Sequence, residues 1–167
     1  PDDVVIALDP GMAFGTGTHP TTQLCLEALE DMVKPRVNAL DLGCGSGILA
    51  IAAAKLGARH ILALDIDPIA VEATIENAEA NGVADKITAQ TGSLDSVRSS
   101  SRRFDLVIVN ILAKIIVEMC AYGLGNTVRP GGKALFSGII DSQADEVEAA
   151  LRRTGLTPYK RRNQGDW

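Results

Sequence analysis

The chain has no CxxC pair and no cluster of cysteine with histidine: Cys25, Cys44 and Cys120 stand apart, and the only histidines are His19 and His60. Neither a disulfide framework nor a zinc site is indicated by that spacing, which suits a cytoplasmic protein. Positive charge is also scarce. Sixteen Lys and Arg face 21 Asp and Glu, for a formal net charge of -5, whereas a surface built to neutralise phosphates shows a basic footprint. DNA is therefore not an expected partner, and free RNA is an unsuited main substrate. No apolar run is long enough to span a bilayer, and the start Pro1-Asp2-Asp3 lacks the basic-then-apolar pattern of a signal peptide. Nothing targets a membrane. A first residue other than Met leads to the expectation that an upstream part, of the size of a domain, precedes Pro1.

What is present suits one globular domain, with 167 residues of which 46% are hydrophobic. From residue 37 onward, apolar strands alternate with helices, the pattern of a doubly wound, mostly parallel α/β sheet in three layers, α-β-α. Strands are expected at 37–42, 61–65, 87–90, 104–110 and 133–137, with a short one at 4–8 and a further one at 157–162. Helices are expected at 48–56, stopped by Gly57; from Asp67-Pro68 as N-cap and first-turn proline to Asn81-Gly82; at 112–124; and at 144–153. The polar stretch from Ser93 to Arg103 reads as a loop, and Pro130-Gly131-Gly132 as a turn. Asp9-Pro10-Gly11 reads as a turn, and Ala13 to Thr22 as a small, polar, Gly-rich loop delivered by the N-terminus of a helix that carries Leu26, Leu29, Met32 and Val33. Gly15 and Gly17 would let Phe14 to Thr22 close as a lid over a ligand, the alternative being a rigid turn that connects a strand to a helix.

Leu40-Asp41-Leu42-Gly43-Cys44-Gly45-Ser46-Gly47 lies where a strand turns into a helix. Its glycines allow the backbone to approach a ligand at the carboxyl end of a strand, and the next strand ends in Asp65 at the spacing of a ribose-binding acid. A dinucleotide fingerprint would need a small residue at position 48, where Ile48 stands, and no P-loop lysine follows the turn. The D-x-G-x-G-x-G form is similar to the nucleoside-binding signature of Rossmann-like class I methyltransferases. Asp65 would then accept from both ribose hydroxyls, the alternative being an ordinary strand-end carboxylate. Asp41 would either face the cationic methionine end of the cofactor or brace the turn. Asp67 reads as a helix cap, and Cys44 as a small residue without a base beside it.

Asn110 leaves the sheet at the same edge, in Val109-Asn110-Ile111-Leu112-Ala113. Class I enzymes that methylate amino groups often carry Asn-Pro-Pro-aromatic there, with the Asn oxygen holding the target nitrogen. Here the prolines and aromatic are replaced, so a platform for stacking a flat base is missing and an aliphatic amine is favoured. His19 is either a catalytic base or a packing and capping residue before Pro20. Arg102-Arg103 and Lys160-Arg161-Arg162 read as solvated charge.

With the loop from Asp9 to Thr22, the segment Asn110-Ile111-Leu112-Ala113 and the terminal Gly165-Asp166-Trp167, the whole chain closely resembles the PrmA family, bacterial enzymes that methylate ribosomal protein L11. The resemblance implies S-adenosyl-L-methionine as cofactor, with contacts on Thr22, Gly43, Asp65 and Asn110, to which the glycine turn adds Gly45 and Asp41. It implies Asn110 as the catalytic residue, and lysine side chains and an N-terminal amine of L11 as acceptors, the alternatives being an RNA or small-molecule amine methyltransferase on the same fold, or a cofactor-binding pseudoenzyme. Residues 1–167 would be the catalytic domain, without the family's N-terminal recognition domain or a last strand after Trp167.

Overall fold

Apolar residues at every second position of the strands send side chains to opposite faces of a sheet, and the computed structural model, which describes residues 3–8 and 17–167, follows that rule. Ala39, Ile61, Ala63, Leu106 and Ile108 enter one core. Leu40, Leu42, Leu62, Leu64, Val107 and Val109 enter the other. The five strands are β1 (Asn38–Leu42), β2 (His60–Asp65), β3 (Ile87–Thr91), β4 (Phe104–Asn110) and β5 (Val128–Ser137), ordered β3-β2-β1-β4-β5. All the pairings are parallel. On the first face lie α1 (Pro20–Met32), α2 (Ile48–Lys55) and α3 (Pro68–Ala80); on the second lie α4 (Leu94–Arg98), α5 (Ala113–Ala121) and α6 (Ala144–Arg153). This is the three-layer, doubly wound α/β fold that the alternation predicts.

Local chemistry sets the helix ends. Asp67 caps α3 by accepting from the Ile69 amide at 2.9 Å, and Pro68 opens the first turn. Gly57, at φ +105°, ends the α2 region as the Ala58 amide donates back to the Ala53 carbonyl.

Four expectations change. Residues 3–8 form no strand; the Asn81 side-chain amide instead pairs with the backbone N–H and C=O of Ala7 at 3.0 and 2.6 Å, occupying the groups a strand would have used. The loop read at 93–103 contains α4, whose start carries a capping box between Ser93 and Ser96, a serine standing in for the usual Glu or Gln. Pro130-Gly131-Gly132 does not interrupt the fifth strand. It forms an irregularity inside β5, because Phe104 aligns with Val128 while Leu106 aligns with Lys133, and proline is tolerated on such an edge strand. Residues 157–162 are not a strand either. Arg161 bonds Asp145 and Glu148 of α6, and Arg162 bonds Asp31 of α1 at 2.7 Å, so this surface charge also straps the segment across two helices.

Candidate functional site

In a sheet of order 3-2-1-4-5 the connections leave β1 and β4 in opposite directions, which opens a crevice beyond their carboxyl ends. The residues singled out in the sequence gather there. Gly43 follows β1, Asp65 ends β2 and Asn110 ends β4, placing three of them on neighbouring strand ends.

The glycine turn is held from several sides. The amides of Gly43 and Cys44 both donate to the Leu64 carbonyl, at 2.8 and 3.1 Å, and the Gly45 amide donates to Asp65 Oδ2 at 2.9 Å. From α3, the Thr74 hydroxyl donates to the Gly45 carbonyl at 3.0 Å and the Asn77 amide to the Ser46 carbonyl at 2.9 Å. Thr74 and Asn77 escaped the sequence reading. Their signal is two polar residues, three apart, on the face of α3 that otherwise buries Ala70, Val71 and Ala78. Gly43 has φ +78°, and a Cβ there would lie 2.5 Å from Ile111 Cγ2, so the first position of the turn has no room for a side chain. Gly43 itself is exposed and open to the crevice.

Asp65 Oδ1 accepts the Asp67 amide at 3.0 Å while Oδ2 takes Gly45, so each oxygen keeps capacity for another donor. Ile66, next in sequence, is 78% exposed and presents an apolar surface beside this carboxylate. One apolar residue after a strand carries no signal in the sequence until its exposure is known.

Asp41 lies beneath the turn, on the face of the sheet that packs α2, and only 1% of it is exposed. It accepts from the Ala50 amide in the first turn of α2, while Oδ2 is buried without a hydrogen-bond partner among the described residues. Burial pushes this carboxyl up to about 7, against the lowering effect of the Ala50 bond and with a smaller contribution from Asp65. The sign of its effect on stability follows. The folded state holds this proton to higher pH than the unfolded chain, so stability falls as pH rises from about 4 to 7, by about 4 kcal/mol at most. Urea denaturation between pH 5 and 8 should show that fall, and Asp41→Asn should flatten it and be the more stable protein at pH 8. A variant with the original slope would show that Asp41 does not carry the proton.

Thr22, 2% exposed, lies in the first turn of α1, and the Ser137 hydroxyl at the end of β5 donates to the carbonyl of neighbouring Thr21 at 3.3 Å. His19 is the N-cap of α1. Its Nδ1 accepts the Thr21 amide at 3.3 Å, and its ring meets Trp167 edge-on at 4.9 Å between centroids. These contacts fit the packing and capping reading of His19. Of the loop expected to act as a lid, Phe14 to Thr16 lie outside the described residues; Gly17 lies against Ile48, whose Cδ1 would be 3.1 Å from a Cβ on the glycine. Burial holds the Cys44 thiol up at about 12, which removes it as a nucleophile at neutral pH. Among the described residues there is no group of three or more metal-ligating side chains and no helix long and apolar enough to cross a membrane.

Chemically, the crevice offers an exposed glycine turn, a carboxylate with spare lone pairs, a buried acid with one unpartnered oxygen, and the Asn110 amide, which makes no side-chain hydrogen bond among the described residues.

Comparison with known proteins finds relatives along the whole chain. Residues 1–167 match the family described as ribosomal protein L11 methyltransferase (PrmA). A ribosomal protein L11 methyltransferase of Chloroflexus aurantiacus is 47% identical over 189 aligned residues, covering 100% of this chain and 57% of that protein. One of Desulfitobacterium hafniense is 48% identical over 167 residues, covering 100% and 52%. The crystal structure of a ribosomal protein L11 methylase from Lactobacillus delbrueckii subsp. bulgaricus superimposes with a TM-score of 0.87 at 41% identity, covering 97% of this chain and 81% of that one. The chain thus spans little more than half the length of those two relatives.

Proposed function

The chain belongs to the ribosomal protein L11 methyltransferase (PrmA) family, and from that premise we propose that it is the catalytic domain of a cytoplasmic S-adenosylmethionine-dependent enzyme that methylates lysine side chains and an N-terminal amine of L11. The observation that carries this reading is the gathering of Gly43, Asp65 and Asn110 on adjacent strand ends around an open glycine turn. Asp65 would receive the ribose hydroxyls on its spare lone pairs, and the exposed Gly43 and neighbouring Gly45 would let the backbone approach the amino-acid part. Asp41 would set a negative charge beneath that cationic end, and Thr22 would reach the ligand from α1. Ile48, packed under Gly17, fills the place a dinucleotide fingerprint keeps small, which disfavours NAD.

S-adenosylmethionine held in this crevice supplies an electrophilic methyl group on a sulfonium with a good leaving group. What remains for the protein is to orient the acceptor and exclude water. A lysine of pKa about 10.4 must first lose its proton, at roughly 4 to 5 kcal/mol at pH 7. Removal from water and a neighbouring cation both lower that cost. The Asn110 side-chain oxygen can accept from the neutral amine and aim its lone pair, with no strong base required. An N-terminal amine, of pKa near 8, needs less help.

Isothermal calorimetry should find binding of S-adenosylmethionine that strengthens as pH rises from 6 to 8 and releases a proton, because the bound cation favours ionised Asp41; NAD should not bind. Comparable affinity for NAD would remove the assignment. Mass spectrometry of L11 incubated with the full-length protein and labelled cofactor tests the acceptor. The lid is tested by hydrogen exchange across residues 13–22, where protection is expected only with S-adenosylhomocysteine bound; equal protection in both states would leave Thr22 as a static contact.

A further inference from the structure

β4 and β5 end side by side, with Asn110 aligned to Ser137. Beyond them the chain leaves as Ile111-Leu112 on one side and Gly138-Ile139-Ile140 on the other. The two departures abut, since a Cβ on Gly138 would fall 2.8 Å from the Ile111 carbonyl carbon and 3.0 Å from its nitrogen. On each, one apolar residue turns in and the next turns out. Ile111 and Ile139 pack against the core, whereas Leu112 is 69% and Ile140 40% exposed. A single exposed leucine is ordinary. A matched pair on abutting loops places two exposed apolar side chains just beyond the paired strand ends of Asn110 and Ser137, where they can form an apolar rim.

Resting on the methyl-transfer reading above, we propose that Leu112 and Ile140 are specificity residues that grip the unbranched aliphatic stem of a lysine side chain as its amine reaches Asn110. The stem is a run of methylenes with no polar group until the nitrogen, so apolar walls can hold it by burial. The same walls strip water from the ammonium and so favour its neutral form. An N-terminal α-amine has no stem to grip and depends less on the rim. At the Leu112 position a serine is compatible with folding: Leu112 is the N-cap of α5 and makes no side-chain capping bond, and serine is a better residue there.

The test uses the full-length protein with L11 as acceptor and mass spectrometry that counts lysine and α-amine methylation separately. Leu112→Ser and Ile140→Ser should each reduce kcat/KM for lysine methylation by about tenfold, mainly through KM, while α-amine methylation and cofactor affinity change little. Leu112→Met should retain lysine methylation. Equal loss at both kinds of amine, or no loss at either, overturns the rim. If the unaltered protein transfers no methyl group to L11, the methyl-transfer reading itself is overturned, and the rim with it.

Discussion

Asp65→Ala is expected to weaken S-adenosylmethionine binding by roughly 2 to 4 kcal/mol, a rise in Kd of about 30- to 1,000-fold. Two losses combine. The first is the pair of charge-assisted acceptors proposed for the ribose hydroxyls. The second is the bond that Oδ2 makes to the Gly45 amide at 2.9 Å, which fixes the middle of the glycine turn to the end of β2. Thermal melting without ligand reads the second loss alone, because the turn is held in either state. A variant that melts as the unaltered protein does, yet binds far more weakly, would place the larger share on the ligand. An unchanged Kd would mean that the ribose lies elsewhere and that Asp65 serves only the turn.

The turn and its acid were legible in sequence because they depend on near neighbours. A strand, three glycines and a helix follow one another within residues 38–55, and Asp65 comes at the end of the very next strand. Capping residues were legible for the same reason: Asp67 and Pro68 act on the helix that they begin. What escaped depends on partners distant in the chain. Thr74 and Asn77 look like ordinary helix residues until the turn at Gly45 and Ser46 is folded against them. Residues 157–162 have a strand's composition, but strand formation needs a paired edge, and Arg161 and Arg162 bind carboxylates of α6 and α1 instead. Residues 4–8 alternate as a strand does, yet a side chain 74 positions away takes the hydrogen bonds of Ala7. His19 could be read as base or cap from sequence, and its contacts with Thr21 and Trp167 favour the cap.

Asn110→Ala should slow methyl transfer about a hundredfold while leaving the fold nearly intact, the size of effect expected when an acceptor loses its alignment. The backbone of Asn110 belongs to β4 and stays paired opposite Ser137 whatever the side chain, and the adjoining Ile111 remains against Gly43 and Gly138. The side-chain amide makes no hydrogen bond among the described residues, so its removal leaves no buried partner unsatisfied. Single-turnover rates at saturating cofactor isolate the step, since any loss of cofactor affinity is then overcome by concentration. Asn110→Asp separates orientation from mere bulk. Its carboxylate keeps an acceptor oxygen in place but stabilises the charged ammonium, raising the amine pKa, so its rate should be lower at pH 7 and recover as pH rises. The alanine variant should gain from the same rise only until its amine, of lower pKa, is neutral, so its rate should level off at a lower pH. An unchanged rate in Asn110→Ala would move the acceptor away from the end of β4 and leave Asn110 as the residue that terminates the strand.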